Sequence, residues 1–203
     1  MYAYFNGVLT AKSGGDIVLE VGGIGYLIHM PQRMQNQLPE LGELCKIHTS
    51  FQVRENTQDL YGFVQESEKR VFELLLLVSG VGPKVALNLL EFFSPEDFAL
   101  AVIQGDAKRL SKAKGIGQKS AERLILELKD RIAQSDLATG ETVKATSPES
   151  APEDLACDPD VLEALMVLGF RRAEAKLRVE ETYDPEASLE DNVRRALAFR
   201  RGS

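Results

Sequence analysis

The stretch GIGQKSAERL at residues 115–124 places two glycines and a lysine just before a segment with helical spacing. The first N–H groups of a helix lack internal acceptors and carry the positive end of the helix dipole, so a glycine turn at this point suits a phosphate. That phosphate could belong to a nucleotide, a cofactor or a nucleic-acid backbone. The same turn also occurs where two helices simply pack closely.

The motif is repeated within the chain. SGVGPKVALNLL at residues 79–90 aligns with KGIGQKSAERLI at 114–125, a period of 35 residues. The paired positions are Gly80 with Gly115, Gly82 with Gly117 and Lys84 with Lys119. Such a repeat indicates a tandem supersecondary unit. Two helix–turn–helix hairpins of this kind would hold phosphate oxygens through backbone N–H groups without reading any base.

Nucleotide chemistry does not fit the two turns. A P-loop needs Gly-Lys-Ser/Thr in succession, whereas Gln118 separates Gly117 from Lys119, and both copies lack the third glycine of a dinucleotide fingerprint. His29 and His48 lie in strand-like segments, and no nucleophile–base pair or carboxylate cluster for metal-assisted cleavage is evident. We therefore expect a binding protein with no catalytic residue, no metal and no cofactor.

The charge distribution favours nucleic acid although the chain is acidic. The formal net charge is −7, but residues 108–131 hold eight basic and three acidic side chains, and fifteen acidic residues follow Arg131. The opening motif lies inside this basic segment. Binding through phosphates predicts little dependence on base sequence and a steep dependence on salt.

Hydrophobic spacing predicts a multidomain α+β protein. In residues 1–63, DIVLEV alternates Ile17, Leu19 and Val21 on one face, and about five short strands of this kind suggest an OB-fold barrel. Residues 64–133 show helical spacing and would form the tandem helix-hairpin-helix domain. Its predicted core includes Phe72, Leu76, Phe92, Phe93 and Phe98.

The remainder of the chain predicts a tethered small domain. Residues 134–154 are poor in large apolar side chains and rich in Ser, Thr, Pro and acidic residues, which is typical of a flexible linker. Residues 155–203 predict three short helices, with starts at Asp158 and Ser188 and an end at Gly169. No secretory signal or membrane-spanning segment is predicted, and the two cysteines form no framework, so we expect a cytoplasmic protein.

Together, the tandem GVGPK and GIGQKSAERLILELKD motifs and the VGGIGY and LYGF segments of the barrel resemble the RuvA family, DNA-binding subunits of bacterial Holliday-junction branch-migration machines. The resemblance runs through Arg131 and resumes in the C-terminal helices. It implies a homotetramer, alone or as two facing tetramers (an octamer), that holds four-way junctions in an open square during recombination and repair. It also implies that the RuvB ATPase docks on the C-terminal domain and that the resolvase RuvC joins the complex.

The resemblance also implies roles for particular residues. The DNA-binding set would be Gly80, Gly82, Lys84, Gly115, Gly117, Gln118, Lys119, Ser120 and Arg123. Gln118 stands where many relatives carry lysine, which removes one possible phosphate contact. The ATPase would dock around Leu165, Leu168 and Phe170, unless these three form the core of their own domain.

An acidic hairpin, the pin, keeps strands apart at the centre of the tetramer in this family. The matching tip here is Glu55 and Asn56, one acid where two are usual, so repulsion of phosphate should be weaker. We expect normal or slightly tighter junction binding and an altered migration rate. Two other functions stay open: a helix-hairpin-helix subunit of a repair nuclease or glycosylase, and a protein adaptor whose turns only pack helices.

Overall fold

A computed structural model describes residues 2–138 and 158–199, with side chains described for 2–129 and 158–199. The chain divides into two compact units. Unit 1 comprises residues 1–95 and 111–116, and unit 2 comprises 96–110 and 117–203. Most of the predicted linker lies outside the described residues, but its residues 134–138 continue a helix.

Five strands of unit 1 close into a barrel, which confirms the OB-like fold. The strands are β1 (Tyr4–Ser13), β2 (Asp16–Val21), β3 (Ile24–His29), β4 (Leu44–Arg54) and β5 (Thr57–Phe63). They are ordered β1-β2-β3-β5-β4, and β1 closes the barrel by pairing with β4. Only β3 and β5 run parallel, where His29 pairs with Tyr61.

The predicted alternation sets the barrel core. Ile17 and Leu19 of β2 and Ile28 of β3 are fully buried with Ile47 and Phe63, while the neighbours of these β2 and β3 residues are half-buried or exposed. Because side chains alternate across a strand, this pattern also specifies the register of β2 on β3, in which Ile17 pairs with Ile28.

Three helices complete unit 1: α1 (Gln32–Gln35), α2 (Glu66–Leu76) and α3 (Pro83–Phe92). Glu68 is 2% exposed, and one carboxylate oxygen accepts a 3.1 Å bond from Arg33 Nη2 while the other accepts the Gln65 N–H that begins α2. Arg33 Nε also donates to Leu90 O of α3 at 3.0 Å. A single guanidinium therefore joins all three helices.

The end of α3 departs from the predicted core. Phe93 is buried, but Phe92 is 59% exposed, so its assignment to the core is wrong. The helix stops at Phe92, and Phe93 adopts extended backbone (φ −122°, ψ 134°), which turns the second ring inward. Phe72 and Phe98 are buried as predicted, and Leu76 is half-buried.

Unit 2 contains six helices in its described residues. They are α4 (Pro95–Ile103), α5 (Ala107–Leu110), α6 (Gln118–Ala138), α7 (Pro159–Val167), α8 (Arg172–Thr182) and α9 (Leu189–Ala198). The predicted caps are confirmed: Asp158 accepts the Asp160 N–H, Ser188 accepts the Asp191 N–H, and Gly169 has a φ of +100°. These local signals specify where the C-terminal helices begin and end.

One apolar cluster holds the C-terminal helices of unit 2. It contains Leu165, Leu168, Phe170 and Val179, and Ala99 of α4 packs in it. Arg178 lies beside this cluster with its side chain 11% exposed. Its guanidinium binds Glu96 and Glu174, and it lies over the Phe170 ring.

Candidate nucleic-acid interface

The first glycine turn joins α2 to α3. Gly80 has a φ of +84°, which an L side chain adopts only with strain, whereas Gly82 has an ordinary φ of −95°. Val81 N–H donates to Val78 O at 3.1 Å, and Val85 N–H donates to Gly82 O at 3.0 Å. Within the described residues, the N–H groups of Gly82 and Lys84 donate to no acceptor, so they are available to an oxygen ligand.

The second turn repeats this pattern, in which the first glycine has a positive φ and the second does not. Gly115 has a φ of +95°, while Gly117 lies outside the left-handed region. A Cβ on Gly117 would meet no atom within 4 Å, so this glycine leaves open space before α6. Ala121 N–H donates to Gly117 O at 2.9 Å, as Ala86 N–H does to Gly82 O at 3.0 Å. The first glycine of each pair therefore sets the backbone, and the second permits close approach.

The two lysines that follow the turns are exposed. Neither the Lys84 nor the Lys119 side chain forms an ion pair or hydrogen bond with the part of the chain that the structure describes. Each is two residues beyond its second glycine and belongs to the first turn of a helix. An exposed ammonium beside free backbone N–H groups is suited to a phosphate.

Two other side chains of the predicted DNA-binding set form hydrogen bonds within α6. Gln118 Nε2 donates to Glu122 Oε1 at 2.9 Å, and Arg123 Nε donates to Glu127 Oε1 at 2.7 Å. Ser120 is exposed beside them. These (i, i+4) pairs are weak at a surface, about 0.5 kcal/mol or less, so a phosphate can displace them at little cost.

Arg54 adds a cation to the first turn that sequence reasoning missed. A Cβ placed on Gly82 would lie 3.6 Å from Arg54 Nη2, and the exposed Arg54 side chain forms no hydrogen bond to another described residue. Burial raises the pKa of Tyr61, Asp59 raises it further, and the positive charge of Arg54 opposes them. The only signal in the sequence was a basic residue directly before the predicted pin.

The two residues proposed for the pin lie at the turn between β4 and β5. β4 ends at Arg54 and β5 begins at Thr57, with these two residues paired, so Glu55 and Asn56 form the exposed tip of a hairpin. One carboxylate is present at this tip. Within unit 1, the base of the pin and the first glycine turn thus share the guanidinium of Arg54.

The three residues considered for ATPase docking lie inside their own domain. Leu165, Leu168 and Phe170 are each at most 1% exposed and belong to the apolar cluster of unit 2. Of the two alternatives, the geometry supports a core role, and a partner would have to contact other side chains. Their helical spacing could not separate the alternatives, because a core stripe and a docking stripe have the same period.

The described residues contain neither a cluster of metal ligands nor a membrane-spanning helix. Residues 2–138 and 158–199 contain no group of three or more His, Cys, Asp or Glu side chains placed to hold a metal ion. Nor is any helix in these ranges long and apolar enough to cross a membrane.

Comparison with known proteins agrees with the geometry. The RuvA N terminal domain family matches residues 1–62, the SAM-like helix-hairpin-helix tandem matches 72–130, and the RuvA C-terminal domain matches 159–199. Proteins named Holliday junction branch migration complex subunit RuvA are 41% identical in Ruminiclostridium cellulolyticum and in Idiomarina loihiensis, and 40% identical in Escherichia coli. Each alignment covers 97% of this chain and 98% of the relative. The chain belongs to the RuvA family.

Proposed function

We propose that this chain binds four-way DNA junctions by their shape, as the DNA-binding subunit of a branch-migration complex. The observation that carries the proposal is the repeated turn: each copy combines a positive-φ glycine, an open second glycine and an exposed lysine at the start of a helix. Backbone N–H groups and lysines bind phosphates regardless of base identity. The names of the relatives support a junction as the substrate.

The first turn would hold a phosphate from three directions. The free N–H groups of Gly82 and Lys84 face it from the backbone, the Lys84 ammonium adds charge, and Arg54 lies on the side of Gly82. Arg54 comes from the barrel hairpin whose tip is the pin. We infer that Arg54 contacts the strand that passes closest to the pin.

The proposal includes a homotetramer of this chain as the form that binds the junction. A junction has four equivalent arms, so a four-fold homotetramer offers one subunit to each arm and holds the junction open and square. The C-terminal helices would recruit and stimulate the RuvB ATPase, which supplies the motor, and RuvC would act in the same cytoplasmic complex. This chain would perform no catalysis itself.

A gel-shift titration tests the substrate. We expect tighter binding to a four-way junction than to a linear duplex of equal length, with affinity falling steeply as salt rises. Lys119→Ala and Arg54→Gln should each weaken junction binding by roughly three- to tenfold, independently of base sequence, and lower the salt slope by about 1. Lys12→Ala is the matched control, because this barrel lysine donates to Leu38 O and lies in neither turn.

The same titration separates the alternative functions. An adaptor whose turns only pack helices would bind no DNA at low salt. A subunit of a nuclease or glycosylase would prefer a lesion or a flap, or would cleave a labelled junction. Equal affinity for junction and duplex would refute shape recognition.

A further inference from the structure

A hydrogen bond connects α3, the helix that follows the first glycine turn, to the residue that precedes the second glycine turn. Asn88 Nδ2 on α3 donates to the backbone carbonyl of Lys114 at 2.8 Å. Lys114 directly precedes Gly115, the positive-φ glycine of the second turn. Both partners lie in unit 1.

Packing reinforces this contact. A Cβ placed on Gly115 would lie 3.4 Å from Val85 Cγ2 and 3.9 Å from Asn88 Nδ2, so the second turn rests against α3 at ordinary van der Waals distance. Val85 and Asn88 are three residues apart and share a helix face. Helix α3 therefore begins at the first turn, and its side supports Lys114 and Gly115, where the second turn begins.

The repeat shows that this contact is specific to one copy. With a period of 35 residues, Asn88 corresponds to Arg123. Arg123 is 59% exposed and pairs with Glu127 of its own helix. The first copy thus carries a short amide, which reaches the neighbouring turn, where the second copy carries a long cation directed to solvent.

We propose that Asn88 is a positioning residue that holds the backbone at Lys114 and Gly115, where the second glycine turn begins, against α3, so that this turn is preorganised before it meets a phosphate. The inference rests on the proposed function, in which both turns bind phosphates. A turn binds its ligand more tightly when its backbone is held in place before binding, because less conformational freedom is lost. Asn88 itself need not touch DNA.

Hydrogen exchange tests the restraint without DNA. In the free full-length protein, Asn88→Ala and Asn88→Asp should each speed amide exchange in residues 111–116, since alanine has no side-chain donor and aspartate only accepts. Asn36→Ala is the matched control, an exposed asparagine after α1. Unchanged exchange in both Asn88 variants, with thermal melts like the wild type, would overturn the proposal.

Junction titrations test the consequence. We expect Asn88→Ala to weaken junction binding about fivefold, the effect of one net hydrogen bond. Combined with Lys119→Ala it should add little, whereas combined with Lys84→Ala the two effects should multiply. Weaker binding with normal exchange, or full multiplication with Lys119→Ala, would show that Asn88 does not act through the second turn.

The exchange experiment and the junction titrations together distinguish the proposed function from the positioning role of Asn88. If the wild-type protein shows no preference for a junction, the proposed function fails whatever the exchange data show. If the wild type prefers the junction but the Asn88 variants match it in affinity, only the positioning role fails.

Discussion

At the residue scale, glycine serves two different purposes within each turn. Gly80 and Gly115 adopt positive φ, so any L side chain there would strain the backbone. Gly117 has an unremarkable backbone but open space around it, and Gly82 has only Arg54 nearby. The second glycine is therefore explained by access to the N–H groups, which is what a phosphate ligand requires.

The single acid of the pin leads to a prediction about migration. Asn56→Asp should leave junction affinity equal or lower it by about twofold, because one more exposed charge repels nearby phosphates by less than about 1 kcal/mol in water. The branch-migration rate with the ATPase should change if the pin lies, as proposed, where the strands separate. Gel shifts and a strand-migration assay measure the two quantities.

A matched charge elsewhere controls for net charge. Asn36→Asp adds the same carboxylate beyond α1 and should alter neither quantity. If Asn56→Asp also leaves both unchanged, the pin of this chain has no electrostatic role.

At the element scale, the Arg33–Glu68 pair controls how the helices of unit 1 are held. Arg33→Ala would leave the Glu68 carboxylate buried without its guanidinium, and would remove a donor to Leu90 O. Breaking a buried pair from one side typically costs about 3 kcal/mol of unfolding free energy. Chemical denaturation of the variant and the wild type measures this loss.

An exposed pair provides the comparison. Arg123→Ala removes an (i, i+4) contact on the surface of α6 and should cost about 0.5 kcal/mol or less. A loss below about 1 kcal/mol for Arg33→Ala would mean that Glu68 finds water or another partner on relaxation.

At the scale of the whole molecule, the C-terminal helices should be separable from DNA binding. Removing residues 150–203 should preserve the preference for a junction and abolish stimulation of the RuvB ATPase. The reason is that both glycine turns and the pin precede this segment, as their bounds show. Junction titration and an ATPase assay measure the two effects.

A stability measurement accompanies the truncation. Ala99 of α4 packs in the same cluster as the C-terminal helices, and Glu96 binds Arg178, so the deletion uncovers one face of α4. Loss of junction binding in a truncated chain that still melts cooperatively would contradict the assignment of function to these segments.

Much of the fold is readable from local sequence. Alternation in DIVLEV predicts which face of β2 is buried, Ser188 and Asp158 act on N–H groups two or three residues away, and the repeat places both glycine turns. All of these are short-range effects, so neighbouring residues suffice to define them. The exposed lysines of the candidate interface could be predicted for the same reason, since each lies two residues after the second glycine of its turn.

Local sequence patterns were enough to predict the five-strand barrel, the paired glycine turns with their lysines, and the caps of the C-terminal helices. The packing of separate elements was needed to show that Arg54 lies beside Gly82, that Asn88 donates to the Lys114 carbonyl, and that Leu165, Leu168 and Phe170 are core. The contacts of Arg54 and Asn88 join residues more than twenty positions apart, and whether an apolar stripe is core depends on the elements that cover it. Neither these contacts nor the burial of a stripe can be inferred from a local period or a helix cap, because both depend on how separate elements pack.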